Sequence, residues 1–243
     1  MNQFTLWKPQ SFPPFLEDSE AHVWRVGLPL TLSFLASLKS YLSEAELERL
    51  GSLVSEKDKQ GFISSRGLLR FLLGGYLGCM PQEVMLSAGP HGKPLVLGSA
   101  ISCNLSHSGE YLLYAFAKHC AVGVDCEQIR IISNPSKFMR AHFSDQERRS
   151  IMTRPIPEQP EAFFRLWTHK EAYLKALGKG FSFPIDEDMH SVVPLQAAVL
   201  LAANNEYSSQ WYLENIPLDK GYCAAIVLEH PRILLLYDLQ IIF

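Results

Sequence analysis

Two carboxylates end a short apolar run at residues 123–127, Gly-Val-Asp-Cys-Glu. If this run is a β-strand, alternation places Asp125 and Glu127 on the same face. Neighbouring carboxylates repel each other unless a cation lies between them. Two carboxylates with a third from elsewhere suit Mg²⁺, which also takes water and phosphate oxygens as ligands. A solvated strand end, or pairing with Lys or Arg, fits the same residues, so the segment alone leaves both interpretations open.

The best candidate for a third carboxylate lies in residues 163–180, FFRLWTHKEAYLKALGKG. Apolar residues recur there at helical spacing and predict an amphipathic helix over residues 161–177. Glu171 and Lys175 are four residues apart, so they are neighbours on the helix surface. Taken alone, this pair is typical of an ordinary helical ion pair, worth about 0.3 kcal/mol.

A polar segment, residues 104–109, follows a predicted strand and reads Asn-Leu-Ser-His-Ser-Gly. The Gly-x-Ser-x-Gly elbow of a serine hydrolase is missing from it. Ser106 and His107 could instead donate hydrogen bonds to a phosphate at the sheet edge. A capped turn with a surface histidine fits equally well.

Three cations are candidate ligand groups. Lys93 lies in a Gly-Lys-Pro loop, and Arg66 stands on a predicted long helix between a serine and a glycine, which permit close approach of a ligand. Arg49 is the third candidate. Each of the three is also consistent with a simple solvated charge.

Composition limits the class of protein. The chain has 243 residues, a formal net charge of -3 and 47% hydrophobic residues, which argues for a real core and against wholesale nucleic-acid binding. Five cysteines without metal-ligand spacing are typical of buried thiols in a reducing compartment. Neither a signal peptide nor an apolar run of about 18 residues is evident. We therefore expect a cytoplasmic protein with no membrane or nucleic-acid partner.

The order of predicted elements repeats. A helix over residues 58–77 precedes strands at 84–87, 101–105, 111–117 and 121–127. The helix over residues 161–177 precedes strands at 191–200, 211–216, 222–228 and 233–239. This order predicts an α+β fold with a pseudo-twofold pair of halves, residues 1–119 and 120–243, each a long helix on a small, mainly antiparallel sheet. The active site would lie in the cleft between them.

Four motifs in order carry a family resemblance: Gly-Lys-Pro at 92–94, Asn-Leu-Ser-His-Ser-Gly at 104–109, Gly-Val-Asp-Cys-Glu at 123–127 and Trp-Thr-His-Lys-Glu-Ala-Tyr-Leu-Lys at 167–175. Over residues 45–228 the chain resembles the phosphopantetheinyl transferases, specifically the two-half, surfactin-synthetase-activating type. Cys126 departs from the aliphatic residue usual in this family.

The resemblance implies a role for each candidate residue. Asp125, Glu127 and Glu171 would hold Mg²⁺, or Mn²⁺, against the pyrophosphate of coenzyme A. The remaining contacts to coenzyme A would come from these groups: Ser106 and His107 on its phosphates, Lys93 with its loop at the adenylate end, and Arg49 near Arg66 at the 3′-phosphate, where Lys57 or Lys59 could substitute.

The resemblance also implies a reaction. A serine of an acyl or peptidyl carrier protein would attack the β-phosphate of coenzyme A, take the phosphopantetheine arm and release 3′,5′-ADP. Glu171 is a candidate base as well as a ligand, and Lys175 could neutralise the leaving phosphate or donate a proton.

Two other functions fit the same residues: a Mg²⁺-dependent phosphohydrolase acting on coenzyme A or a nucleotide, and a degenerate relative that only binds carrier proteins. The fatty-acid, polyketide and nonribosomal-peptide carriers all remain open as partners. We expect a monomer, because both halves lie in one chain.

Overall fold

The computed structural model describes residues 6–89, 91–132, 135–179, 199–201 and 211–240. The helices in these ranges are α1 (Leu32–Ser40), α2 (Glu44–Gly51), α3 (Glu56–Leu77), α4 (Pro135–His142), α5 (Asp145–Met152) and α6 (Gln159–Leu177). The strands are β1 (Lys8–Gln10), β2 (Glu20–Gly27), β3 (Leu86–Ala88), β4 (Pro94–Val96), β5 (Ile101–Ser108), β6 (Tyr111–Lys118), β7 (Val122–Gln128), β8 (Val199–Leu201), β9 (Trp211–Asn215), β10 (Tyr222–Leu228) and β11 (Ile233–Leu239).

The described strands form two sheets. The first has the order β1-β11-β2-β6-β5-β4-β3, and the second has the order β7-β10-β9-β8. Pairing is antiparallel throughout the second sheet. In the first sheet it is antiparallel except at β11, which runs parallel to both β1 and β2. The last strand of the chain therefore joins the sheet built by the N-terminal strands.

The sheets and helices stack in four layers, helix–sheet–sheet–helix. Along β6, Leu112, Tyr114 and Phe116 pack in a cluster with residues of α1 and α3, including Leu38 and Leu68. The alternate residues of β6 pack against the second sheet: Leu113, Ala115 and Ala117. Because side chains alternate along a strand, β6 contributes to two hydrophobic clusters, one on each face of the first sheet. On the far side of the second sheet, α6 covers β9 and β10.

Two structural signals set the limits of the long helices. Ser55 caps the start of α3 by accepting from the amide of Asp58, and Gly78 ends it with φ 65°. Gly178 ends α6 in the same left-handed conformation, φ 67°. Glycine is favoured there because a side chain costs energy at positive φ.

Helix α6 approaches β7 closely at Gly123. A Cβ atom at this position would lie 2.0 Å from the carbonyl oxygen of Ala172 and 2.3 Å from the amide nitrogen of Ala176. The contact is with backbone, so it cannot be relieved by turning a side chain. The absence of a side chain at Gly123 therefore sets how near Glu171 and Lys175 come to Asp125.

We expect Gly123→Ala to lower both stability and activity. Overpacking of a close contact costs about 1–3 kcal/mol, and displacement of α6 would separate the site residues. Chemical denaturation and initial rates measure the two effects. Gly27→Ala is the matched control, since a Cβ there meets nothing within 4 Å. Equal stability of the two variants would contradict this account of the contact.

The α+β class predicted from the sequence is confirmed, with differences in detail. The predicted strand at 101–105 continues to Ser108, so the polar segment thought to form a turn lies largely within β5. Of the strand predicted at 191–200, residues 191–198 lie outside the described residues. In the described ranges, no helix has the length and apolarity to cross a membrane.

Candidate active site

Strands β5 and β7 belong to different sheets, yet side chains of β5 join them. Asn104 Oδ1 accepts from the amide of Val124 at 2.8 Å, Ser106 Oγ from that of Cys126 at 3.3 Å, and Ser108 Oγ from that of Gln128 at 3.0 Å. These three side chains, which we call the β5 ladder, repeat every second residue, as the period of a strand requires. They complete hydrogen bonds that a backbone partner would otherwise make.

The β5 ladder also fixes the two carboxylates of β7. The Ser106 hydroxyl donates to Asp125 Oδ1 at 2.7 Å, and the Ser108 hydroxyl donates to Glu127 Oε2 at 3.0 Å. Asp125 and Glu127 therefore point to the same side of β7, as the sequence pattern predicted. Arg130 lies 3.3 Å from Glu127 Oε2 as a further partner.

Lys175 pairs with Asp125 rather than forming the helical pair that its spacing from Glu171 suggests. Its Nζ donates to Asp125 Oδ1 at 2.7 Å, to Ser106 Oγ at 3.0 Å and to the Val124 carbonyl at 3.2 Å. Burial raises the pKa of Asp125, and Lys175 and Ser106 partly oppose that shift. The lysine thus supplies the nearest positive charge to a carboxylate that is 4% exposed.

Glu171 lies beside this pair in a carboxylate-rich environment. The pKa of Glu171 is raised to about 7, mainly by burial and also by the nearby charges of Asp125 and Glu127, while Lys175 opposes the shift. Both Asp125 Oδ2 and Glu171 Oε1 are buried without a hydrogen-bond partner among the described residues. Buried, unpartnered carboxylate oxygens are costly, and their neighbourhood favours an added cation.

The metal assignment was tested against this geometry. As the side chains stand, no three His, Cys, Asp or Glu of the described ranges are grouped so as to hold a metal ion. The unpartnered oxygens of Asp125 and Glu171 nevertheless fit a hard cation, which prefers carboxylate oxygens. The donor set therefore fits Mg²⁺ chemically, whereas a finished coordination sphere would need oxygens from water or a bound phosphate.

Two adjoining cavities meet at the site. The smaller, about 300 Å³, is lined by Ser106, Asp125, Glu127 and Trp167. The larger, about 890 Å³, runs between α2, α3, β5 and α6. Four residues line both cavities: Leu105, His107, Glu171 and Lys175. The carboxylates therefore stand at one end of a cavity large enough for a cofactor-sized ligand.

The larger cavity carries an excess of positive charge in a chain whose formal net charge is -3. Among the described residues that line it, the acidic ones are Asp58 and Glu171. Its basic lining residues are Arg49, Lys57, Arg66, Lys93, Lys175 and Lys179. This concentration of cations in a concave surface favours a ligand with several negative charges.

The residues predicted to bind coenzyme A differ in what their side chains contact. Arg49, Arg66 and exposed His107 line the larger cavity. The Ser106 hydroxyl is used within the β5 ladder and on Asp125. The Lys93 ammonium, predicted at the adenylate end, donates to backbone carbonyls of β7 and α6.

Sequence reasoning missed the buried ion pair behind the site. Lys170, next to Glu171, lies 2.8 Å from Glu147 of α5, and both side chains are 1% exposed. The Ser144–Glu147 capping box at the start of α5 was a signal for the glutamate. Nothing in the helical pattern distinguished Lys170 from a solvated lysine. The ladder roles of Asn104 and Ser108 were missed for the same reason, since they depend on packing between sheets.

A buried carboxylate, a half-buried one beside it, a nearby lysine and a cationic cavity suit an enzyme that handles a phosphorylated ligand. A family model described as "4'-phosphopantetheinyl transferase superfamily" matches residues 121–227. The chain is 33% identical to the 4'-phosphopantetheinyl transferase HetI of Nostoc sp. over 225 residues, 90% of this chain and 92% of that protein. It is 26% identical to the 4'-phosphopantetheinyl transferase Sfp of Bacillus subtilis, over 84% of this chain and 89% of that protein.

A mammalian protein gives a more distant match. The L-aminoadipate-semialdehyde dehydrogenase-phosphopantetheinyl transferase of Rattus norvegicus is 25% identical over 84% of this chain and 72% of that protein. The chain belongs to the 4'-phosphopantetheinyl transferase superfamily. It is a phosphopantetheinyl transferase, an enzyme that uses coenzyme A to modify a carrier protein. These matches do not support the phosphohydrolase alternative.

Proposed function

We propose that Asp125, Glu127 and Glu171 hold Mg²⁺, or Mn²⁺ in its place, during transfer of phosphopantetheine from coenzyme A. The observation that carries this proposal is the pair of buried, unpartnered oxygens on Asp125 and Glu171. Bound there, the ion would neutralise charge on the phosphoryl oxygens of the diphosphate. Two carboxylates are held in place by Ser106 and Ser108, so little reorganisation is needed before the ligand arrives.

Lys175 is the residue that we place on the phosphate side of the site. It lines both cavities and already carries a charge-assisted hydrogen bond to Asp125. In the reaction it would bind the phosphate that leaves with 3′,5′-ADP. Glu171 lines both cavities as well, so it is also the nearest candidate to accept the proton of the attacking carrier serine.

The remaining cations are assigned to coenzyme A by their place in the larger cavity. Arg66 and Arg49 lie on α3 and α2, and Lys57, in the first turn of α3, lines the same cavity. His107 stands where the two cavities meet, and there it would contact the diphosphate. Together these groups offer several cations to the phosphates of one ligand.

Arg49→Met is expected to raise KM for coenzyme A by about tenfold, since a hydrogen bond to a charged group is worth about 1.5–3 kcal/mol. KM for 3′-dephospho-coenzyme A should stay within about twofold if the arginine binds the 3′-phosphate. Steady-state kinetics with both substrates measure this difference. Arg154→Met, at an exposed arginine after α5, is the matched control. An equal rise in KM for both substrates would rule out this assignment.

The identity of the carrier protein is the broadest part of the proposal. Acyl and peptidyl carrier proteins of fatty-acid, polyketide and nonribosomal-peptide synthesis are all candidates, because the site residues face coenzyme A rather than the carrier. A panel of apo-carrier proteins, incubated with coenzyme A and Mg²⁺ and analysed by intact mass, distinguishes them. Labelling that depends on the carrier serine supports transfer, whereas release of free phosphopantetheine without labelling contradicts it.

We further propose a monomer that acts in the cytoplasm without a membrane or nucleic-acid partner. All five cysteines are free thiols, and four are buried, which suits a reducing compartment. The division into halves at residues 119 and 120, with pseudo-twofold symmetry and a cleft between them, also stays a proposal. Residues on both sides of that boundary line the larger cavity, for example Arg66 and Glu171.

A further inference from the structure

Lys93, in a loop that is distant along the chain, donates hydrogen bonds to carbonyl groups at the end of α6. The last carbonyls of an α-helix lack partners within the helix and must find donors elsewhere. Lys93 Nζ donates to the carbonyl of Lys175 at 2.7 Å and to that of Ala176 at 3.0 Å. Its third hydrogen bond, 2.9 Å long, goes to the carbonyl of Val122 at the start of β7.

This arrangement leaves the ammonium group without spare donors. A lysine ammonium has three N–H bonds, and three carbonyls accept them here. The positive charge also lies at the C-terminal end of α6, where the helix dipole stabilises a cation. Burial lowers the pKa of Lys93 to about 8. A phosphate-binding lysine would instead keep donors directed at the cavity.

The backbone around Lys93 is built to hold this position. The amide of Gly92 donates to the carbonyl of Gly89 at 2.9 Å, and the amide of Gly89 donates to the carbonyl of Lys93 at 2.9 Å. Gly92 has φ 78°, which favours glycine, and β4 begins at Pro94. Gly89 and Lys93 are therefore joined by a backbone hydrogen bond, and β4 begins directly after Lys93.

We infer that Lys93 is a positioning residue, which ties the end of α6 to the start of β7 and so holds Lys175 against Asp125. The inference rests on the proposed roles of those two residues in phosphate and metal binding. It differs from the direct contact to the adenylate end that the family resemblance implies. Val122 is three residues before Asp125, and Lys175 itself provides one of the three carbonyls. A single ammonium group therefore links the backbone segments that carry the two partners of the Lys175–Asp125 ion pair.

Lys93→Met tests the inference because it keeps the length of the side chain and removes the donors. We expect kcat to fall about 10- to 100-fold, as for other residues that orient a site, and KM for coenzyme A to change less than about threefold. Amide hydrogen exchange in residues 172–179 should become at least about tenfold faster, because the last turn of α6 opens more readily. Exchange in residues 163–168 should stay unchanged.

Two further variants separate the possible causes. Lys93→Arg keeps charged donors and should restore most of the slow exchange and part of kcat. Lys220→Met, at an exposed lysine before β10, is the matched control and should leave all three readouts unchanged. If Lys93→Met does not fold, Lys93→Gln, which retains two donors, gives the same readouts at smaller amplitude.

One combination of results would overturn the inference: unchanged exchange in residues 172–179 together with at least about tenfold weaker binding of coenzyme A in calorimetry without metal. That result would make Lys93 a ligand of coenzyme A. The exchange measurement needs neither metal nor substrate, so it can succeed even if Asp125 proves dispensable for transfer. Failure of the metal proposal and failure of this inference are therefore distinguishable.

Discussion

Asp125→Ala is expected to lower the rate of phosphopantetheine transfer by about 10³-fold, the upper part of the range for removing one group that stabilises transition-state charge. Asp125 is the carboxylate that joins the proposed metal site to Lys175, so its loss removes a metal ligand and the partner of the nearest cation. The substitution also removes a buried oxygen that has no hydrogen-bond partner in the described structure. Asp125 Oδ1 is the acceptor for Lys175 and Ser106, but the Lys175 side chain is 27% exposed and can be hydrated, so we expect the fold to stay intact with a modest loss of stability.

Steady-state transfer rates at saturating coenzyme A and Mg²⁺ measure this effect, with thermal unfolding as the test of folding. Asp125→Asn is the sharper variant, because its amide oxygen still accepts from the Ser106 hydroxyl while the negative charge is gone. Asp18→Ala, at an exposed carboxylate before β2, is the control. Turnover at the level of the unsubstituted protein by Asp125→Ala would refute the assignment of Asp125.

Lys170→Met is expected to lower the free energy of unfolding by about 3–5 kcal/mol, because removing one partner of a buried ion pair leaves an uncompensated charge. Lys170 Nζ donates to the carbonyl of His142 at 3.0 Å and pairs with Glu147, so it joins α5 and the preceding chain to α6. Burial lowers the pKa of Lys170, and Glu147 opposes that shift. Equilibrium denaturation in urea measures the loss.

A double substitution tests whether the stranded charge is the cause. Glu147→Gln added to Lys170→Met removes the buried negative charge, while the side chain keeps an oxygen that can accept from the amide of Ser144. Most of the lost stability should return in the double variant. If Lys170→Met costs less than about 1 kcal/mol, the pair behaves like a surface salt bridge and does not hold the helix.

The sequence predicted the chemistry of the site more completely than its architecture. The alternation of residues 123–127 placed Asp125 and Glu127 on one face, and the helical period placed Glu171 beside Lys175. Both placements rest on local periodicities, of two residues in a strand and 3.6 in a helix, which can be recognised in a single sequence. The helix ends at Gly78 and Gly178 follow from equally local rules, whereas α3 begins at Glu56, two residues before its predicted start.

Features that depend on long-range packing were not predictable. Of the two interpretations open for residues 104–109, the capped turn is wrong, because Asn104, Ser106 and Ser108 lie in β5 and accept hydrogen bonds from the backbone of β7. The pairing of Lys175 with Asp125 required knowing how closely α6 approaches β7 at Gly123. The entry of β11 into the first sheet likewise reflects a contact between distant parts of the chain.

We propose that Asp125, Glu127 and Glu171 hold a divalent cation on which transfer depends. The most direct test of this proposal is the intact mass of an apo-carrier protein incubated with this enzyme and coenzyme A, first after chelation of divalent metals and then with Mg²⁺ restored. We predict that one phosphopantetheine arm is added only when Mg²⁺ or Mn²⁺ is present, and not by Asp125→Ala under either condition. An unchanged rate of labelling in excess chelator would contradict the account.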